Sequence, residues 1–189
     1  LVNGRENEYQ IVSSLAYGLA QSQTRLNKLS EVPDLHKYVA PQTLDVFLYV
    51  VEFAERFITP NVITCIEHLC DVDESKFKAH ILLSKILHFS QDQQNQNMVN
   101  EFFQSRIMDL LHDDSGAVIL RALVEYTTAT EEQIKAYLLS SNPTCIIEGY
   151  RAIFYTNTKP HLLHMDTLST HILSQDDDLR GVAYEFVRR

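Results

Sequence analysis

From Ile11 to Phe186 the apolar residues of this chain recur every three or four positions, and nothing else in it narrows the fold as much. That spacing lines apolar side chains along one stripe of a helix, where a half-buried strand would need strict alternation. Breaks are few: five glycines and five prolines in 189 residues. So few breakers suit helices joined by short turns and disfavour a turn-rich β sandwich.

The stripes can be followed in order. Ile11, Leu15, Leu19, Leu26 and Leu29 predict a first helix from Glu8 to Leu29, broken at Pro33. Leu44, Phe47, Leu48 and Val51 predict a second from Pro41 to Phe57. Thr59 and Pro60 are a good N-cap and first residue for a third, with Val62, Ile63, Ile66 and Leu69. Asp73 is expected to cap a helix bearing Phe77, Ile81, Leu82, Ile86 and Leu87. The Gln/Asn-rich residues 90–97 read as a polar, solvated loop.

From Met98 the pattern is more regular. Phe102, Phe103, Ile107, Leu110 and Leu111 share a helix, and Asp114 is expected to cap the next, with Val118, Leu120, Leu123 and Val124. Thr130 and Gln133 form a capping-box pattern. Asn142-Pro143 opens a helix with Ile146, Ile147, Tyr150 and Phe154. Leu162, Met165, Leu168 and Ile172 belong to another, and Asp176 opens the last, with Leu179, Val182, Ala183 and Phe186. These helices come in pairs with short connections, so partners should lie antiparallel. The caps Asp114, Asn142 and Asp176 are 28 and 34 residues apart (142 − 114 and 176 − 142), near the short end of helical-repeat periods. The expectation is one all-α domain over 1–189: a helical-hairpin array, or α-solenoid, of about nine or ten helices, most regular over 98–189.

The stretch "DDDLRGVAYEF" resembles the HEAT and armadillo repeat families. Asp176 at the turn, Leu179 followed by Arg180, and the small Ala183 follow the HEAT order. "DSGAVILRALVEY" keeps Asp114 but has Val118 where arginine is usual. "NPTCIIEGYRAIF" has Asn142 for aspartate, Ile146 for arginine and Gly149 as the small residue. The likeness covers roughly residues 98–189. It implies a superhelical stack that binds other proteins and does no chemistry. "GAVILRALVE" also resembles the RNA-facing helix of Pumilio-type repeats, but Ala117 and Val118 stand, with Arg121, at the base-reading positions. Aliphatic side chains offer neither hydrogen bonds nor a stacking face to a base.

Charge and cysteines bound the function further. The net charge of −9 repels phosphate backbones, and the 16 Lys and Arg residues are scattered rather than clustered. Nucleic acid is therefore the lesser alternative. Cys65, Cys70 and Cys145 make no disulfide framework, and no Asn-x-Ser/Thr sequon occurs except before proline. That suits an intracellular protein of cytoplasm or nucleus. No apolar stretch is long enough for a membrane-spanning helix. The start at Leu1, together with Tyr184 and Val187 widening the apolar arc of the last helix, predicts a piece of a longer array.

Candidate chemistry is sparse. "CIEHLC" places Cys65 and His68 on one helix face, with Cys70 turned elsewhere. A structural zinc needs four convergent ligands, so buried small cysteines are the better reading. His161, His164 and His171 lie near Asp166, and Cys145 with His171 could be imagined as a nucleophile pair, but nothing in the spacing brings either group together. Asp113-Asp114 and Asp176-Asp177-Asp178 sit at helix starts, where acids offset the dipole and cap N–H groups. A metal-binding or enzymatic protein is thus the second alternative; no catalytic residue, cofactor or metal is assigned. Arginine and tyrosine are the residues favoured at interfaces. Arg121, Tyr126, Tyr150, Arg151, Tyr155, Arg180 and Tyr184 all fall on second helices of pairs. They are the candidate contacts for a protein or peptide partner in a multi-subunit complex.

Overall fold

The structure is a computed structural model that describes residues 31–32, 35–37, 44, 58–156 and 164–188. The helices expected over Glu8–Leu29 and Pro41–Phe57, the break at Pro33, and residues 157–163 lie outside the described residues, apart from Leu44, which is helical and buried. The described residues hold a 3-10 turn at Leu35–Lys37, eight α-helices and no strand. The helices are α1 (Pro60–Leu69), α2 (Lys76–Phe89), α3 (Gln93–Arg106), α4 (Asp114–Glu125), α5 (Glu131–Leu138), α6 (Pro143–Thr156), α7 (Met165–Ile172) and α8 (Asp177–Arg188). The chain divides after Phe102 into two compact units.

In the first unit α1 packs on α2 and on the 3-10 turn. Thr59 caps α1 as expected, its Oγ1 accepting from the Val62 N–H at 3.4 Å. Pro60 takes the first position, where a missing N–H costs no helical hydrogen bond. Val62, Ile63, Ile66 and Leu69 face the core. Two expectations fail at α2. Ser75, not Asp73, stands at its N-cap position, and its hydroxyl donates to Leu69 O at 2.7 Å and Val72 O at 3.2 Å. The hydroxyl thus ties the end of α1 to the turn, and Asp73 is left exposed. Phe77 is also exposed, because the buried face runs through Ala79, Leu82, Leu83, Ile86 and Leu87 instead.

The polar stretch 90–97 is a correction too: it is helical from Gln93 onward, the start of α3. Two of its amides bond to backbone carbonyls. Asn95, buried, donates to Ile58 O at 2.9 Å, and Gln96 donates to Ser90 O at 2.8 Å and Leu87 O at 3.3 Å. Gln96 therefore satisfies carbonyls that the end of α2 leaves open. The stretch is solvated as expected at Gln91, Asp92, Gln93, Gln94 and Asn97, but it is a helix start rather than a loop, anchored through Asn95 and Gln96.

In the second unit α6 is the centre. It packs against α4, α5 and α8, and α7 packs on α8. Cys145, Ile146, Tyr150, Ala152 and Ile153 bury its inner face. Asp113, one residue before the expected Asp114, caps α4 by accepting from the Ser115 N–H at 2.8 Å. Asp114 instead accepts from Asn142 Nδ2 at 3.0 Å. The Thr130–Gln133 capping box forms as predicted. The α4 end closes with Thr127 at φ 62°, and the Thr128 N–H reaches back to Leu123 O at 2.9 Å. That left-handed closure usually takes glycine. Gly116 is required by close approach: a Cβ there would lie 2.0 Å from Leu110 O and 2.6 Å from the Tyr137 hydroxyl. That hydroxyl donates to Ile107 O at 3.0 Å and locks α5 to the turn before α4.

One local device recurs. Before α3, α6 and α8 the chain reads Ser90-Gln91-Asp92, Ser140-Ser141-Asn142 and Ser174-Gln175-Asp176. In each, the serine Oγ accepts from the backbone N–H two residues on, at 3.3, 2.9 and 3.1 Å. The Asp or Asn then accepts from an N–H of the new helix, at 2.8, 2.8 and 2.9 Å. Both bonds serve donors that a helix start would otherwise leave unpaired.

Candidate functional site

Stripes of α4 and α6 that combine exposed and buried positions line a groove of about 480 Å³. Arg121, Val124 and Glu125 line one side, and Glu148, Arg151, Ala152 and Tyr155 the other. Both sets follow the i, i+3, i+4 spacing of a single helix face. Each helix contributes one internal ion pair. Arg121 Nε donates to Glu125 Oε1 at 3.1 Å, and Arg151 Nη1 donates to Glu148 Oε1. The pairs differ in depth. The Arg121 and Arg151 side chains are 65% and 58% exposed, Glu125 is 40% exposed, and Glu148 only 11%. Glu125, and to a lesser extent Glu148, raise the pKa of Arg121 above its ordinary value. The floor is the apolar Val124 and Ala152, both buried, and the largely exposed ring of Tyr155 stands at the rim.

Three of the seven expected contact residues therefore meet here: Arg121, Arg151 and Tyr155. The other four do not. Tyr150 is fully buried: its hydroxyl is hydrogen-bonded to His171 Nδ1 at 2.8 Å, and its ring packs on Phe186 with centroids 5.5 Å apart. It cannot meet a partner, because its position on α6 points into the core. Tyr126 ends α4 half-buried, as its C-cap. Arg180 donates to Ser174 O at 2.7 Å and to the Asp177 carboxylate, at the start of its own helix. Tyr184 is half-exposed on α8, outside the groove. Sequence reasoning missed Glu125 and Glu148. Their spacing from the arginines, i+4 and i−3, carried the signal.

The other candidates take structural places. Cys65, Cys70 and Cys145 are buried and form no disulfide. Burial pushes the Cys65 and Cys145 thiols up to about 11, away from a reactive thiolate. The Cys145 thiol donates to Asp113 O at 3.2 Å. His68 and His164 are exposed, and His161 lies outside the described residues. His171 is buried against Tyr150, and desolvation lowers its pKa. A serine–histidine contact does occur, Ser141 Oγ to His112 Nδ1 at 3.0 Å. The same Nδ1 accepts the Ser141 N–H at 3.1 Å, so its single lone pair is engaged in holding a loop. Asn142 Nδ2, on Asp114 and at 3.4 Å from His112 O, completes that clasp between the segments leading into α4 and α6. Among the described residues no three His, Cys, Asp or Glu side chains converge to hold a metal ion, and no helix is long and apolar enough to cross a membrane.

No family profile, curated protein or solved structure matches the chain.

Proposed function

We propose that this chain is a non-enzymatic protein-interaction module, a short α-solenoid of the HEAT and armadillo kind. It offers the α4–α6 groove to another protein or peptide within an intracellular multi-subunit complex. The observation that carries the reading is the groove itself: two exposed arginines, an exposed tyrosine and an apolar floor on one pair of helices. Arginine and tyrosine are among the residue types enriched at interface hot spots. The repeat arrangement draws support from the three Ser-x-Asx helix starts and from α6, which packs on helices both before and after it. The net charge of −9 counts against a phosphate backbone as partner.

The test is comparative affinity capture by wild type and by Arg121→Ala, Tyr155→Ala and Tyr184→Ala variants. Quantitative mass spectrometry reads the captured proteins, and the melting temperature of each variant is measured alongside. A partner lost with Arg121→Ala and Tyr155→Ala, kept with Tyr184→Ala, at unchanged melting temperatures, is the expected result. Equal capture by all four, or loss with Tyr184→Ala alone, would put the binding face elsewhere.

A further inference from the structure

We propose that the α4–α6 groove receives a carboxylate side chain of an acidic peptide, bound by Arg121 and Arg151, with Glu148 as the residue that positions Arg151. The proposal rests on reading the groove as the interaction site and adds the chemistry of what enters it.

The argument is one of charge at depth. Counted whole, the groove is neutral: two arginines and two glutamates. Exposure, however, separates the two signs. One of the two balancing carboxylates, Glu148, is nearly covered, while both guanidinium groups stand more than half in solvent. Glu125, less than half exposed, is the acid that remains at the mouth. The Glu148–Arg151 pair therefore turns its positive end, with its remaining N–H donors, to the mouth of the groove.

Donor arithmetic agrees. A guanidinium has five N–H groups and no acceptor. Each of these arginines commits one N–H to its own glutamate. The rest have solvent or a ligand to bond, and a carboxylate matches the planar fork that arginine presents. Beside it, the largely exposed Tyr155 ring offers apolar surface for a neighbouring aliphatic side chain. A phosphomonoester fits less well. Its second charge would be repelled by Glu125 and Glu148, which already balance the two arginines.

Glu148 gives the proposal its sharpest edge. Simple electrostatics says that neutralising an acid in the groove should strengthen binding of an anion. If Glu148 instead holds Arg151 in place, neutralising it should weaken that binding, because a freed arginine loses side-chain entropy on each capture.

The experiment is an NMR titration of the full chain with acetyl-Ala-Glu-Leu-Ala-amide. Its glutamine counterpart and a phosphoserine counterpart are run in parallel. The expected result is saturable shifts of the Arg121 and Arg151 Nε–H signals with the glutamate peptide and little response to the glutamine one. Binding should weaken about tenfold in Arg121→Gln, the loss of one charge-assisted hydrogen bond. Glu148→Gln, with a folded spectrum, should weaken it as well. Equal response to the glutamine peptide, tighter binding of the phosphoserine peptide, or tighter binding in Glu148→Gln would each overturn the proposal. Should the peptide fail while a Tyr155-dependent partner is still captured, the interaction site stands and the proposed ligand chemistry falls.

Discussion

The α4–α6 face and the α7–α8 end use the same pair of residues in different ways. Glu148–Arg151 and Asp177–Arg180 are both acid–arginine pairs at i, i+3. In α6 the acid is 11% exposed and the arginine stands free enough to meet a ligand; in α8 the acid is 85% exposed and the arginine is drawn back. Arg180 spends its donors on Ser174 O and Asp177, at the start of its own helix. Depth explains the contrast. A mid-helix acid against neighbouring helices is desolvated, so it needs its cation and fixes it. An acid in the first turn faces water and already interacts with the helix dipole, so its pair is worth little. An arginine count alone would have made the two faces equivalent.

Four measurements would break or sharpen this contrast. The largest effect is expected at Gly116. Gly116→Ala drives a Cβ into the Leu110 carbonyl, a backbone atom that cannot rotate away. It should destabilise by about 3 kcal/mol or more in urea unfolding. A loss under about 1 kcal/mol would mean that the turn before α4 yields, and that the groove wall is less fixed than described.

Next in size is the pair of ion pairs. Arg151→Met leaves Glu148 nearly covered without its cation and should cost about 1–2 kcal/mol, between the values for surface and buried pairs. Asp177→Asn should change stability by less than about 0.5 kcal/mol. Equal effects, read by thermal melts in the same buffer, would erase the distinction between the two faces.

A third test concerns pH. Desolvation lowers the His171 pKa below its ordinary 6.5, so the folded state favours the neutral ring. Above pH 6.5 this histidine contributes no pH dependence. Below it the unfolded chain takes up the proton first, and stability should fall as pH drops from 6.5 through the lower folded value. The urea midpoint should therefore decrease toward pH 5, and His171→Gln should flatten that slope. An unchanged slope in the variant would remove the Tyr150–His171 contact as a cause of acid sensitivity.

The smallest effect has the opposite sign. Nothing lies within 4 Å of a Cβ built at Gly181, and α8 is regular there. Gly181→Ala should stabilise by about 0.5–1 kcal/mol through helix propensity and lower unfolded-state entropy. Set against Gly116→Ala, it separates a glycine held by packing from one that is merely tolerated.

Much of the fold was legible beforehand, and the misses share a cause. Thr59, the Thr130–Gln133 box and Asn142 were read correctly because their capping bonds are made within a few residues. The caps of α2 and α4 were misread by one or two residues because Ser75 and Asp114 answer partners further off, Leu69 O and Asn142. The helix start at Gln93 was hidden because its amides serve the end of α2 and Ile58 O, which composition cannot show. In the site, Arg121, Arg151 and Tyr155 were named and do line the groove, while Tyr150 was placed on the wrong side of α6.

The sequence by itself determined that the described residues fold into helices, though not where each begins and ends. The 3.6-residue period, the scarcity of glycine and proline and the local caps are properties of neighbouring residues, so they can be read without a fold. Only the tertiary structure decided which arginine is free, which tyrosine is buried, and which glutamate lies beneath the surface. Those outcomes depend on what the next helix covers, and burial is set by contacts between residues far apart in the chain.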